Sequence, residues 1–273
     1  MKIATNNNIY TFLSLLFFLT FSFQHHAFCS IVISNGLTHI HKVEEGQVVR
    51  GFIEIQNAGL KNRSVKVYQK DYSFTYKGDV FYNDPTTNPR SNANWIDFSP
   101  GYLELEPKQK SVINYEITIP EGQQLSGSYW SVLMVEGIEG IKPELSQSGL
   151  SVSTIMRYAI QIATNIGDTG ENNLEFVEAK LDKIDGQKVG SVAIVNSGER
   201  LLIPEVSIEL FDEEGQSIRL IKTTKKKIYP GTSARFFLEL EDLPKGEYEA
   251  VVLADCTEVD VFGLNLSLSL GDD

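Results

Sequence analysis

The sequence predicts an all-β protein built as two tandem sandwiches, and three observations predict it. Past Ser30, apolar and polar residues alternate in short runs, a period of two that buries one side of a strand and wets the other. Gly, Pro, Asn and Asp stand between the runs, where chain reversals need them. The order of runs and turns in the first half of the chain then recurs in the second.

The chain has 273 residues and a formal charge of −12, from 24 Lys+Arg against 36 Asp+Glu. Its length fits one or two domains, and its 42% hydrophobic content is that of a folded protein. The acidic balance argues against a nucleic-acid partner, whose phosphates need clustered Lys and Arg. Residues 1–29 read as a signal peptide. Lys2 supplies the positive start, Thr11 to Phe23 an apolar run of about 13 residues, and Ala27 and Cys29 the small residues before a cut at Ser30. That run is too short to cross a ~30 Å hydrocarbon core. The expected localisation is export, to the periplasm or the cell surface. Loss of Lys2 takes the charge from −12 to −13 and leaves Cys256 as the lone cysteine, so no internal disulfide is expected. Cys29 can be read as a lipidation site, although Phe28 stands where such a signal needs a small residue.

The first predicted domain spans 30–166. Strands are expected over Ile31–His41, Val48–Gln56, Ser64–Tyr72, Leu103–Leu105, Val112–Ile119 and Leu150–Ile162. The second spans 169–270, after the turn residues Gly167-Asp168-Thr169-Gly170. The repeat aligns Ile53-Glu54-Ile55-Gln56-Asn57-Ala58-Gly59 with Val192-Ala193-Ile194-Val195-Asn196-Ser197-Gly198. It aligns Leu105-Glu106-Pro107 with Ile228-Tyr229-Pro230, and Gly127-Ser128-Tyr129 with Gly246-Glu247-Tyr248. The interval from Asn57 to Pro107 is longer than that from Asn196 to Pro230, which places an insertion around 75–101.

A strand entering an Asn turn, a Leu-x-Pro turn, the strand Ile117–Pro120 and the strand opening at Gly127-Ser128-Tyr129 resemble PapD-like periplasmic pilus chaperones. With Tyr76-Lys77-Gly78 leading to Tyr82, and Pro120 to Gly127, they also resemble the paired immunoglobulin-like domains of WxL-interacting surface proteins. The resemblance implies two immunoglobulin-like sandwiches and a non-catalytic role in assembling pili or surface adhesins by protein–protein contact. It implies a donor strand at the end of domain one, here carrying Leu150 and Val152, and a basic anchor, here Arg157, for a subunit's terminal carboxylate. A second anchor, an Arg on the first strand, is absent; Lys42 is the nearest cation. Leu150 and Val152 read equally as ordinary core residues, and Arg157 as a solvated edge cation.

The insertion gives a second reading, a glycan or cell-wall contact through Tyr82, Trp95 and Tyr102 set among Asn and Asp residues. The same aromatics read as a cap on the sandwich. His39 and His41 share one face of a strand without a third ligand, so no metal and no cofactor is expected. Lys222 and Lys225-Lys226-Lys227 read as an edge guarded by charge. No nucleophile motif stands out, and no enzymatic activity is expected.

Overall fold

A computed structural model describes residues 31–138, 155–212, 214–240, 243–256 and 260–271. The signal peptide and the proposed donor residues Leu150 and Val152 lie outside the described residues. Strand dominates. The first ten strands are β1 (Ile31–Ile33), β2 (Thr38–Val43), β3 (Val48–Asn57), β4 (Arg63–Phe74), β5 (Val80–Asn83), β6 (Ile96–Ser99), β7 (Tyr102–Leu105), β8 (Lys110–Thr118), β9 (Gly127–Ile138) and β10 (Arg157–Ile166). Seven follow: β11 (Leu174–Ile184), β12 (Gln187–Asn196), β13 (Glu205–Phe211), β14 (Ser217–Lys222), β15 (Ser233–Glu239), β16 (Gly246–Asp255) and β17 (Val261–Leu270).

These strands form four sheets, two to a sandwich. One sandwich stacks β1-β3-β8-β6 on β2-β10-β9-β4-β5, with β7 also on β4. The other stacks β11-β12-β15 on β14-β13-β16-β17. Alternation fixes which side chains meet between the sheets. Ile53, Ile55, Ile113 and Ile117 face Leu133, Val135, Ile160 and Ile162 in the first core. Ile194, Phe236 and Leu238 face Val206, Leu210, Val252 and Ala254 in the second.

The repeat is structural. Asn57 and Asn196, both fully buried, do the same work in each copy. The Asn57 amide donates to the carbonyls of Lys61, Leu105 and Glu106 at 2.8–3.0 Å, and its oxygen accepts from the Gly59 amide. The Asn196 amide donates to Arg200 and Ile228, and its oxygen accepts from Gly198. Each side chain ties the turn after its strand to the segment ending in Leu105 or Ile228, satisfying carbonyls that burial would otherwise leave unpaired. The insertion holds β5, a 3₁₀ turn at Ala93–Trp95, and β6, which joins the sheet opposite β5.

One expectation is corrected. Ile31–His41 is not one strand: the chain breaks at Gly36 (φ +91°), so β1 pairs antiparallel with β3 in one sheet and β2 pairs parallel with β10 in the other. Crossing between sheets needs a left-handed residue, which glycine adopts at no steric cost. Of the last strand expected from Leu150, positions 150–154 lie outside the described residues, and the described strand runs Arg157–Ile166.

Candidate functional site

Three segments converge where the two sandwiches meet. Trp130 of β9 and Tyr229, which precedes β15, stack with ring centroids 4.8 Å apart, both almost wholly buried, with Ala163 of β10 beside them. Tyr72 and Phe74 of β4 meet Tyr229 edge-on. The Trp130 indole donates to the Tyr72 carbonyl, and the Tyr229 hydroxyl donates to Gln161 Oε1 at 2.7 Å. Burial pushes the Tyr229 phenol far above its ordinary range, so it stays a neutral donor at any physiological pH. Arg90 closes the junction, donating to Glu199 at 2.8 Å and to the Ser126 carbonyl. The Ser126 hydroxyl and the Arg90 charge hold the Glu199 carboxyl below its usual range.

Beyond this aromatic hinge the surfaces diverge around a cleft of about 950 Å³. Its floor is apolar: Tyr72, Phe74, Tyr229 and Phe237. Its walls carry Lys77, Lys180, Lys183, Lys226, Lys227 and Arg235, against Asp79 and Asp182. An acidic protein thus concentrates cations in this cleft. Arg235 donates to Glu178 at 2.8 Å and to Ser191, and its guanidinium lies over the Tyr76 ring. These partners hold Arg235 in place, and the hydrogen bonds from Arg235 and then Lys180 lower the Glu178 carboxyl to about 2. Lys226 is half-buried over the Phe236 ring, and desolvation lowers its pKa, so an arriving anion would relieve a cost already present.

Arg157 belongs to the same sheet as Tyr72 and Phe74 of the cleft but lies farther out. With Ala159, Gln161 and Ala163 it is one of the odd-numbered residues of β10, which face away from the core holding Ile160 and Ile162. Gln161 lines the cleft, and Arg157 sits four residues, about 13 Å, away from it. Its guanidinium pairs with Glu136 at 3.0 Å, and Glu136 also accepts from the Tyr68 hydroxyl at 2.7 Å. The Tyr68 hydrogen bond, with Arg157 next, keeps the Glu136 carboxyl below its usual range. β2 pairs with β10 only over Gln161–Ile166, so Arg157–Ile160 has a described partner strand on one side alone.

Lys42 bonds Asp168 at 2.6 Å at the hinge rather than facing the cleft. Lys226 and Lys227, expected on a guarded edge, line the cleft instead, because the segment before β15 turns its cations toward domain one. Lys222 does stand on an edge strand, paired with Glu205. The aromatics of the insertion are dispersed. Trp95 packs on the first core and against Tyr129 at 4.8 Å, while Tyr82 stacks on Tyr72 and Tyr102 pairs with Lys66, six residues apart along β4. Both histidines meet one phenol: Tyr115 Oη lies 2.7 Å from His39 Nδ1 and 3.0 Å from His41 Nε2.

No family model matches the chain, and no curated protein does. Solved structures of pilus chaperones are similar to it. A chain from the chaperone–tip adhesin complex of CFA/I fimbriae biogenesis is 13% identical, with a TM-score of 0.46 over 87% of this chain and 97% of that one. The class 5 fimbriae chaperone CfaA is 15% identical, TM-score 0.45, over 87% and 98%. A chain from the Salmonella enterica SafA pilin–SafB chaperone complex is 12% identical, TM-score 0.45, over 88% and 98%. The likeness is one of strand arrangement.

Proposed function

We propose that the protein is an exported, non-catalytic binding protein of the cell envelope, a chaperone-like or assembly component that holds a pilus or adhesin subunit by direct contact. One observation carries this reading: strand β10, whose Arg157–Ile160 segment has a partner strand on one side alone among the described residues, runs toward a cation-lined, partly apolar cleft between the two sandwiches. An extended partner segment added to Arg157–Ile160 would gain main-chain hydrogen bonds along the edge. An anionic group on that partner, a terminal carboxylate foremost, would enter the cleft among Lys77, Lys226 and Lys227. Arg157 then guides the segment at the outer end rather than forming the charge seat alone.

The test is co-purification of the mature protein with envelope proteins. Lys77→Glu together with Lys227→Glu is expected to cut capture of a subunit about tenfold or more, since like charges across an interface are costly. Circular dichroism should stay unchanged, because both side chains sit on the cleft wall rather than in a core. Capture that survives this pair of changes overturns the reading.

A further inference from the structure

Strands at the border of a sheet present unpaired main-chain groups, and proteins guard them with charge, proline, bulges or brevity. Among the described residues, most borders here follow that rule. β11 carries Glu175, Glu178, Lys180, Asp182 and Lys183 and a register shift near Phe176. β14 carries Arg219 and Lys222, β15 carries Arg235 and Glu239, and β2 carries Lys42. β1, β5 and β6 have four residues or fewer. β17 breaks it. It runs ten residues, Val261–Leu270, with no charged residue and no proline, and pairs with β16 in unbroken register on one side only.

Beside that border the second sandwich is open. A slot of about 320 Å³ lies between its sheets, lined by Leu181, Val192, Leu238, Leu240, Leu266 and Leu268. Leu181 of the opposing border strand is itself exposed, as is Val177.

We propose that β17 is a self-association edge, and that its occupant is β17 of a second copy, paired antiparallel about a two-fold axis. Charge selects this occupant. Two copies at −12 each repel unless they meet along a neutral strip, and β17 is a long neutral strip. Its pattern is also self-complementary: Leu264, Leu266, Leu268 and Leu270 on one face, Gly263, Asn265, Ser267 and Ser269 on the other. Antiparallel pairing keeps like faces together, so the leucines of each copy roof the slot of the other. Asp260 lies just before the strip, and the carboxylates beside its middle, Glu247 and Glu249 of β16, are held by Ser269 and Ser267. In the order β16-β17-β17-β16, Glu247 and Glu249 stand three strand spacings, about 14 Å, from their counterparts, beyond the ~8 Å Debye length at physiological salt. This inference does not rest on the proposed function, because the cleft and β10 lie on other surfaces.

Analytical ultracentrifugation of the mature protein in physiological salt, from about 1 to 100 µM, where a micromolar dimer would populate, tests it. A concentration-dependent doubling of mass is expected. Asn265→Lys, on the wet face, should weaken the dimer about tenfold or more, and so should Asn265→Glu. An equimolar mixture of the two variants should restore it, which misfolding could not do. A wild-type monomer throughout the range overturns the proposal, and so does a dimer indifferent to either substitution.

Discussion

Asn57 and Asn196 show how much of the fold rests on single amides. Each is fully buried; its amide reaches a carbonyl far along the chain, Leu105 or Ile228, while its oxygen takes the main-chain amide two residues on. Alanine at position 57 strands the carbonyls of Lys61, Leu105 and Glu106, with the Gly59 amide. We expect Asn57→Ala to cost about 2–3 kcal/mol in urea denaturation, the penalty for leaving buried polar groups unsatisfied. Aspartate keeps the acceptor for Gly59 but offers no donor to the carbonyls, so it should rescue nothing. These residues were legible in the sequence, because Asn-x-Gly after an alternating run marks a strand entering a turn, and the motif stands at matching places in the two copies. Arg157 was legible as a cation near the end of domain one but not as the partner of Glu136 and Tyr68. That pairing depends on which residue of β9 stands between Arg157 of β10 and Tyr68 of β4, a matter of register.

Among elements, β2 clasps the two sheets of the first sandwich. It sends His39 and His41 to the hydroxyl of Tyr115, which stands on β8 in the opposite sheet and lies over Gly51, where any side chain would collide with the ring. Burial raises the Tyr115 phenol to about 12, keeping it protonated, and lowers the pKa of both imidazoles from 6.5, with the His39 charge adding to the effect at His41. The sign follows from linkage: below pH 6.5 the unfolded chain takes up protons that the folded chain resists. This contribution to stability is therefore whole above pH 6.5 and declines as pH falls from 6.5 toward the folded values. A urea midpoint lower at pH 5 than at pH 7.5 is expected, and His39→Gln with His41→Gln should flatten that slope. Depressed carboxylates such as Glu136 and Glu199 act at lower pH, below their ordinary 4.5, so the windows separate. Sequence alone gave the shared face of His39 and His41 but not their phenol, since period two says nothing of what the other sheet presents. The break between β1 and β2 had a readable signal in Asn35-Gly36 that the continuing apolar alternation masked.

At the scale of the whole molecule, the cleft exists only because the junction is fixed, and the sequence held its residues without their assembly. Lys180 comes from β11, Lys226 and Lys227 from the segment before β15, and Lys77 from the turn between β4 and β5. Only the angle between sandwiches brings them together. Gly127 sets part of that angle. It has φ +74°, and a Cβ there would lie 2.2 Å from the Glu199 carbonyl oxygen, which already accepts from the Ser128 amide. Alanine must therefore strain its own backbone or part the two sandwiches. We expect Gly127→Ala to cost about 1–3 kcal/mol and to split one calorimetric transition into two, one for each sandwich. Small-angle scattering should register the change in their relative angle. A single unchanged transition would show that the hinge does not depend on this contact.

The parallel pairing of β2 with β10 also has a mechanical meaning. Its six aligned pairs, Thr38 with Gln161 through Val43 with Ile166, point both strands the same way. Tension drawn between residue 31 and residue 166 pulls them along their length in opposite directions. The slanted, evenly spaced bonds of a parallel ladder then bear the load together in shear, not one after another as in an unzipping hairpin. Between its first strand and its hinge, the first sandwich is built to resist stretching.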